Sequence, residues 1–539
     1  MISRTPWMIA FLGVILLAMG CSRPDATPPP QPSPMPLAAS DLLLFDFRQA
    51  VEANQFGGPT YCEAHNGAKL TCTPSKRFDR ALTLSVAGIG GNGYAVWRTD
   101  LTGSASNLAD FQALRLRVAV TDGALNPHLY LIDADSVRAW VELGKFVHPT
   151  EAMQEVMIPL RWFRDGNGRR PDLGRLTEFQ IVFEWEEMAG TLHVADIFFD
   201  RHVQQTIRVE PVPESVAWPD GFALTPVAGG FTSATTITFG PNGDLWLSQQ
   251  DGNIWKLVDE DGDGVYDRAD LFGSGFELLV GLLWHPSDGT LYASSRGFIT
   301  ALRDEDGDGR ADSYTDLVTD LPWGRHHNNG LVWGPDGMIY FGLGSEGDIQ
   351  EGEPELMATI LRMPHLGTNA DLEIVARGVR NAYDLAFNAR GDLFATENGP
   401  DYNDAPDELN HIIPGEHYGY PYAFGDDDGG GKYRTPIWLF EPHASANGIV
   451  AYEAEAFPQT YRGNLFVALF GELFGNQRAG HRIDRVILTP KGESYDAKAE
   501  PFITGLDRPL DVAVGPDGSL YVMEYVSGAI YRVSWEGGG

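Results

Sequence analysis

Four polar runs interrupt the apolar alternation in the second half of this 539-residue chain, and each holds residue types that can do chemistry. The first runs from Gly324 through Arg325, His326, His327, Asn328 and Asn329. A neutral imidazole near pH 7 is the common general base for a hydroxyl proton, although paired histidines also serve at surfaces and as metal ligands. The second places Arg380-Asn381 just before an apolar stretch, where a guanidinium fork can meet carboxylates or close a structural salt bridge. In the third, 396–410, carboxylates and amides gather around Gly399-Pro400, a corner whose free carbonyls suit a hard cation with oxygen ligands. The fourth is Leu506-Asp507-Arg508-Pro509, again just ahead of an apolar run.

Two more segments repeat one acidic pattern: Asp259, Asp261, Asp263 and Asp267, then Asp304, Asp306, Asp308 and Asp312. Carboxylates at alternate positions, with glycine permitting a sharp turn, form half of an EF-hand-like calcium loop. Each lacks the distal glutamate, so the segments read as weak calcium sites or as acidic hairpin tips.

The elements that must position these runs are repetitive. A phrase such as Gly240-Pro241-Asn242-Gly243-Asp244-Leu245-Trp246 returns around Gly289, Gly337, Gly391, Gly463 and Gly518. Its physical sense is a turn whose glycine takes positive φ, followed by an apolar strand. Six copies spaced about 50 residues apart predict a six-bladed β-propeller over 215–537. The long gap between Gly391 and Gly463 marks an expanded loop. Residues 40–205 alternate with period two, as in Leu114–Val118 and His128–Ile132, and predict a β-sandwich ahead of the propeller. The fold class is therefore all-β.

Taken in this order, the four runs resemble the PQQ-dependent glucose and sorbosone dehydrogenases, most closely from Gly378 to Tyr420 and from Phe457 to Phe466. The resemblance implies a six-bladed propeller that oxidises a sugar, polyol or other alcohol by hydride transfer to PQQ, with calcium beside the cofactor. It gives His326 the role of general base, with His327 as near competitor, and sets Arg380 and Asn381 against the cofactor. Gly399 and Pro400 would hold the calcium, and Arg508 and Arg478 would add positive charge. Two cofactor-side glutamines of the family are not matched; Phe276 or Glu277 stands near one, and Tyr383 takes the place of the other. The segment 40–205 resembles galactose-binding-like carbohydrate-binding modules, which implies a polysaccharide ligand. With no Cys-x-x-Cys-His for a c-type haem, electrons would leave to an external acceptor. Two rival readings are a non-catalytic glycan-binding surface lipoprotein and a calcium-dependent lactonase-type hydrolase.

A net charge of −35 argues against nucleic acid as a partner, because phosphate binding needs a basic surface. The N-terminus predicts a bacterial lipoprotein signal over 1–21: Arg4, an apolar run from Trp7 to Met19, and small residues before Cys21. Lipid on Cys21 would tether the chain to the cell envelope, at the outer membrane, with the Pro-rich stretch 22–39 as spacer. The two other cysteines, Cys62 and Cys72, could close a small disulfide loop in an oxidising compartment or stay free thiols.

Overall fold

The computed structural model describes residues 41–47, 52–147, 152–401, 405–472 and 479–537. The signal segment, Cys21, the 22–39 spacer and Arg478 lie outside the described residues. Ser40–Gly539 form one compact unit built from strands and short 3₁₀ turns. No helix among the described residues is long and apolar enough to cross a membrane.

The N-terminal part is a sandwich of two antiparallel sheets. One has the strand order Lys69–Pro74, Ala81–Ile89, Met188–Asp200, Ala113–Ala124, Gln154–Pro159, with Leu42–Phe45 also paired to Met188–Asp200. The other has the order Thr60–His65, Tyr94–Asp100, Leu176–Phe183, His128–Asp133, Arg138–Glu142. Period-two alternation sends Trp97, Leu129, Leu131, Phe179, Ile181 and Val141 inward from the second sheet, into one core shared with the first. Phe45 meets the edge of Trp97 at 5.2 Å, an aromatic contact that adds about 0.5–1.5 kcal/mol to the area buried. A disulfide joins Cys62 to Cys72 and so ties the two sheets at one edge.

The propeller follows as six four-stranded antiparallel blades, the first with an added fifth strand. Their innermost strands are Ala234–Phe239, Gly281–Trp284, Asn328–Trp333, Ala382–Phe387, Ala446–Tyr452 and Pro509–Val514. Each touches the next, and the last touches the first, around a central channel of about 350 Å³. Closure comes from Phe222–Ala228, the outermost strand of blade 6, which pairs with the chain-terminal strand Ile530–Trp535. All six repeated glycines occupy the hairpin from the first to the second strand of a blade, with φ between +74° and +84°. That left-handed backbone is the reason the turn keeps glycine.

The boundary between the domains differs from the predicted one at residue 205. The sandwich ends with the strand reaching Asp200, and Gln204–Thr206 already belongs to blade 1, as its fifth strand beside Arg268–Gly273. The junction is polar and specific. Gln112 donates to the Leu271 carbonyl at 2.6 Å, and Arg310 donates to the carbonyls of Asp110 and Arg201. The Arg161 guanidinium lies 3.3 Å from the centre of the Tyr314 ring.

Candidate active site

Blade topology sorts the loops. Connectors into each innermost strand, and hairpins between second and third strands, emerge at one mouth of the channel. The glycine turns and the hairpins between third and fourth strands emerge at the other. The connector into blade 3 brings Arg325 and His326, that into blade 4 brings Arg380 and Asn381, and that into blade 5 brings His443 and Ser445. The middle hairpins of blades 4 and 5 add Asn398, Gly399, Asp401, Phe470 and Glu472. These residues line a cleft of about 630 Å³ at the first mouth, and Tyr383 lines both this cleft and the channel beneath.

His326 is held in one orientation. The Ser345 hydroxyl donates to the Gly347 carbonyl at 2.7 Å, so its oxygen is left to accept, and His326 Nδ1 lies 3.0 Å from it. The proton therefore sits on Nδ1, and Nε2 keeps its lone pair. The ring is half-buried in the cleft wall; desolvation, with the positive charges of Arg380 and Arg325, pushes its pKa down to about 3. His326 is thus neutral at ordinary pH and can accept a proton at Nε2. His327 turns away: its Nδ1 bonds to the Asn328 carbonyl at 2.8 Å, and it does not line the cleft. Gly344 permits this packing, since a Cβ there would stand 2.4 Å from His326 Cβ and 2.8 Å from Asn381 Oδ1.

Arg380 closes a structural salt bridge and also lines the cleft. Only 2% exposed, it donates from Nε to the Asp348 carbonyl at 3.0 Å, from Nη1 to the Asn398 carbonyl at 2.9 Å, and from Nη2 to the Asp348 carboxylate at 2.6 Å. Three of its five N–H groups are engaged in these bonds. Beside it runs a chain of amides: Asn329 donates to Asn381, Asn381 to Asn398, and Asn398 to the Ala446 carbonyl and Asn447. Asp407 accepts the Gly399 N–H at 2.8 Å and the Ala446 N–H at 3.0 Å, and burial pushes its carboxyl up to about 6. A Cβ at Gly399 would stand 2.5 Å from the Pro406 carbonyl oxygen, so this corner admits no side chain.

Other expected residues lie elsewhere. Arg508 is not part of the cleft lining; it sits on the connector into blade 6, 3.0 Å from the Asp507 carboxylate. Phe276 is buried and Glu277 pairs with Arg296, so neither reaches the cleft. The acidic loops are hairpins between third and fourth strands of blades 1 and 2, at the opposite mouth. In each, three carboxylates come within 4.8 Å of one another, Asp259, Asp261 and Asp263 in one, Asp304, Asp306 and Asp308 in the other. Asp267 and Asp312 stand outside these groups and accept the backbone N–H of Glu260 and Glu305 at 2.7 Å. Sequence reasoning named Arg325 only as part of the first polar run, without a role, and missed Ser345, Asp348, His443 and Asn447. For Arg325, His443 and Asn447 the available signal was position at the start of an innermost strand.

Residues 214–420 and 433–536, more than half the chain, match the family described as "Domain of unknown function (DUF7133)". The chain belongs to this family. Three curated relatives of this member of the family share parts of its sequence. One is the Escherichia coli (strain K12) "Aldose sugar dehydrogenase YliI", 24% identical over 241 residues, or 40% of this chain and 61% of that protein. Another is the Acinetobacter calcoaceticus "Quinoprotein glucose dehydrogenase B", 24% identical over 283 residues, or 42% and 59%. The third is an "Uncharacterized protein" of Borreliella burgdorferi, 29% identical over 205 residues, or 34% and 54%. The chain thus spans between 54% and 61% of the length of these relatives. Two solved structures share the propeller fold. The PQQ domain of Coprinopsis cinerea pyranose dehydrogenase gives a TM-score of 0.51 at 18% identity, over 60% of this chain and 98% of that one. A Trichoderma reesei carbohydrate-active enzyme of family AA12 gives 0.52 at 18% identity, over 61% and 99%. The propeller of this family member therefore shares its fold with the pyranose dehydrogenase PQQ domain and the AA12 enzyme.

Proposed function

We propose that the chain oxidises a sugar, polyol or other alcohol with pyrroloquinoline quinone and calcium, passing the electrons to an external acceptor. The observation that carries this reading is the fixed neutral tautomer of His326, with Nε2 free, on the wall of a cleft that also presents Arg380 and Asn381. The cleft suits such a cofactor. Its volume lies within the range of about 300–1,000 Å³ usual for small-molecule sites, and its wall carries two guanidiniums, Arg325 paired with Asp401 and Arg380 paired with Asp348. Arg380, Asn381 and Arg325 would hold the quinone, and the carbonyls at Gly399 and Pro400 would hold calcium. When bound, the quinone supplies a two-electron acceptor for hydride from the carbinol carbon.

The chain's own residues then have separable tasks. His326 Nε2 takes the substrate hydroxyl proton, and Ser345 stabilises the resulting imidazolium by keeping its oxygen against Nδ1. Asp348 fixes the Arg380 guanidinium, so that positive charge faces the cleft without reorganisation. Tyr383, at the base of the cleft, separates the site from the channel.

A lactonase-type metal cage finds less support. The side-chain oxygens of Asn381, Asn398 and Asn447 already accept from neighbours, and no carboxylate–histidine group of metal-holding geometry among the described residues includes a cleft residue. Lipidation at Cys21, which would place the protein at the outer membrane, is part of the same proposal; mass spectrometry of the mature N-terminal peptide tests it.

The deciding experiment is titration of calcium-loaded protein lacking residues 1–21 with the quinone, followed by dye reduction over a panel of sugars. Saturable binding that weakens in Arg380→Lys, together with quinone-dependent dye reduction, is expected. Absence of binding at tens of micromolar quinone would return the choice to the glycan-binding or hydrolase readings.

A further inference from the structure

The hairpin that holds the repeated glycine of blade 2 also carries His285 and Asp288, at the mouth opposite the cleft. In blade 3 the hairpin after the strand Thr359–Pro364 brings His365 to the same place. His285 Nδ1 lies 3.0 Å from one carboxylate oxygen of Asp288, and His365 Nε2 lies 3.1 Å from the other. The two imidazole rings stand 4.3 Å apart, centre to centre. One ligand-type atom from each of the three residues comes within 4.8 Å of the other two. Two blades thus converge on one carboxylate.

The surroundings fix this convergence. The buried Tyr292 hydroxyl bonds to His365 Nδ1, so Nε2 is the nitrogen left to face Asp288, the outer-shell pattern that orients metal-binding histidines. Asn369 exchanges two hydrogen bonds with the Thr319 backbone, at 3.0 and 2.7 Å, and so fastens the blade 3 hairpin to blade 2. An ion pair alone does not account for the group, because Arg303 already donates to Asp288 at 3.1 Å and supplies its counter-charge. His285 Nδ1 also takes the Asp288 N–H at 3.1 Å, which sets it against the carboxylate oxygen as acceptor against acceptor. A shared cation relieves that contact. On the outer side the three side chains keep 20%, 29% and 33% of their surface, so water can reach an ion held there.

We propose that His285, Asp288 and His365 bind a divalent transition metal of the zinc class, which staples blade 2 to blade 3. Two imidazole nitrogens and a carboxylate oxygen are a donor set for zinc, copper or nickel, and water can complete the coordination. Calcium and magnesium are poor occupants. They call for about six or more oxygen ligands, whereas this group offers one carboxylate that is already shared with Arg303. The acidic loops at the same mouth have the opposite character, with carboxylates and no imidazole.

The staple is independent of the cleft, and its failure would leave the oxidation reading untouched. The test is calorimetric titration of the full chain with zinc, in excess calcium so that the acidic loops are filled beforehand. His365→Gln and Asp288→Asn remove ligands, Tyr292→Phe removes the orienting hydroxyl, and the exposed His65→Gln serves as control. Wild type and His65→Gln should bind zinc alike, and each of the other three should bind it about tenfold or more weakly. Cobalt(II) gives a second readout: visible d–d absorption in wild type that zinc discharges and His365→Gln lacks. Circular dichroism of the metal-free variants should match wild type. Three results would each overturn the staple: no zinc binding in excess calcium, equal affinity in wild type, His365→Gln and Asp288→Asn, or an equal loss in His65→Gln.

Discussion

Ser345 donates its backbone N–H to the Arg380 carbonyl at 2.8 Å, while its side-chain oxygen lies against His326 Nδ1 at 3.0 Å. One buried serine thus sets both the position of the cleft's buried cation and the tautomer of its base. Removing the imidazole in His326→Asn is expected to cost about 10²–10⁴ in kcat, the usual worth of a general base. Ser345→Ala should cost about tenfold, the worth of one hydrogen bond, with KM little changed. Steady-state dye reduction measures both, and a wild-type rate in Ser345→Ala would remove the serine from the mechanism.

The pH dependence follows from the same pair. Because His326 is pushed down to about 3, its neutral form persists far below the ordinary imidazole value of 6.5. A profile of kcat/KM against pH should show no inflection near 6.5 from this group, and protonation of the base should appear only towards pH 3. An inflection near 6.5 that disappeared in His326→Asn would contradict the packing described here.

Asp384 provides a stability test in the channel. Burial pushes it from the ordinary 3.8 up to about 7, and burial, followed by the charge of Asp384, raises Asp511 as well. The folded chain therefore binds this proton more tightly than the unfolded one. Its contribution is complete below about pH 4 and is lost as pH rises through about 7. Asp384→Asn should flatten that decline, with a Tm gain over wild type that is about 2–4 °C larger at pH 8 than at pH 4. Differential scanning fluorimetry at several pH values decides the matter, and parallel curves for the two proteins would count against it.

At the opposite mouth the two acidic loops are not equal. Asp308 is already held by Arg310, whose Nε donates to it at 2.8 Å, whereas Asp259, Asp261 and Asp263 carry no such cation among the described residues. Calcium at 100 times its dissociation constant would raise stability by about 2.7 kcal/mol through a site of this kind. Asp261→Asn is expected to remove more of the calcium-induced rise in Tm than Asp306→Asn does. An equal effect of the two substitutions would mean that Arg310 yields to the metal.

The disulfide closes a loop with a sequence separation of 10 residues, and neither cysteine lines the cleft. Replacing Cys62 and Cys72 by alanine should lower sandwich stability by about 2–3 kcal/mol while leaving dye reduction unaltered. Denaturant unfolding followed by circular dichroism, set beside the rate assay, separates the two effects.

Much of this architecture was legible in sequence because a propeller repeats one backbone problem. Gly243, Gly289, Gly337, Gly391, Gly463 and Gly518 all solve the same left-handed turn, so their spacing counts the blades. His326, Arg380 and Gly399 were visible because polar runs are conspicuous beside apolar strands. Ser345 and Asp348 were not, since their importance lies in contacts with residues 19 and 32 positions away. Placing the acidic loops also exceeds what spacing can tell. Which mouth a hairpin faces depends on whether it follows an odd or an even strand of its blade, and that requires every strand to be assigned. Gln204–Thr206 escaped assignment to blade 1 because three residues are too short a segment for periodicity to register.

The pairing of Phe222–Ala228 with Ile530–Trp535 gives assembly of the propeller a definite last step. Blade 6 takes its outermost strand from the start of the propeller and the other three from its very end. During translation the early strand must wait, edge unpaired, until some 300 further residues have emerged. A chain cut short before Ile530 would leave the ring open and an adhesive strand on show. Completeness of the ring is therefore checked by the geometry of closure, before the cleft at its mouth can form.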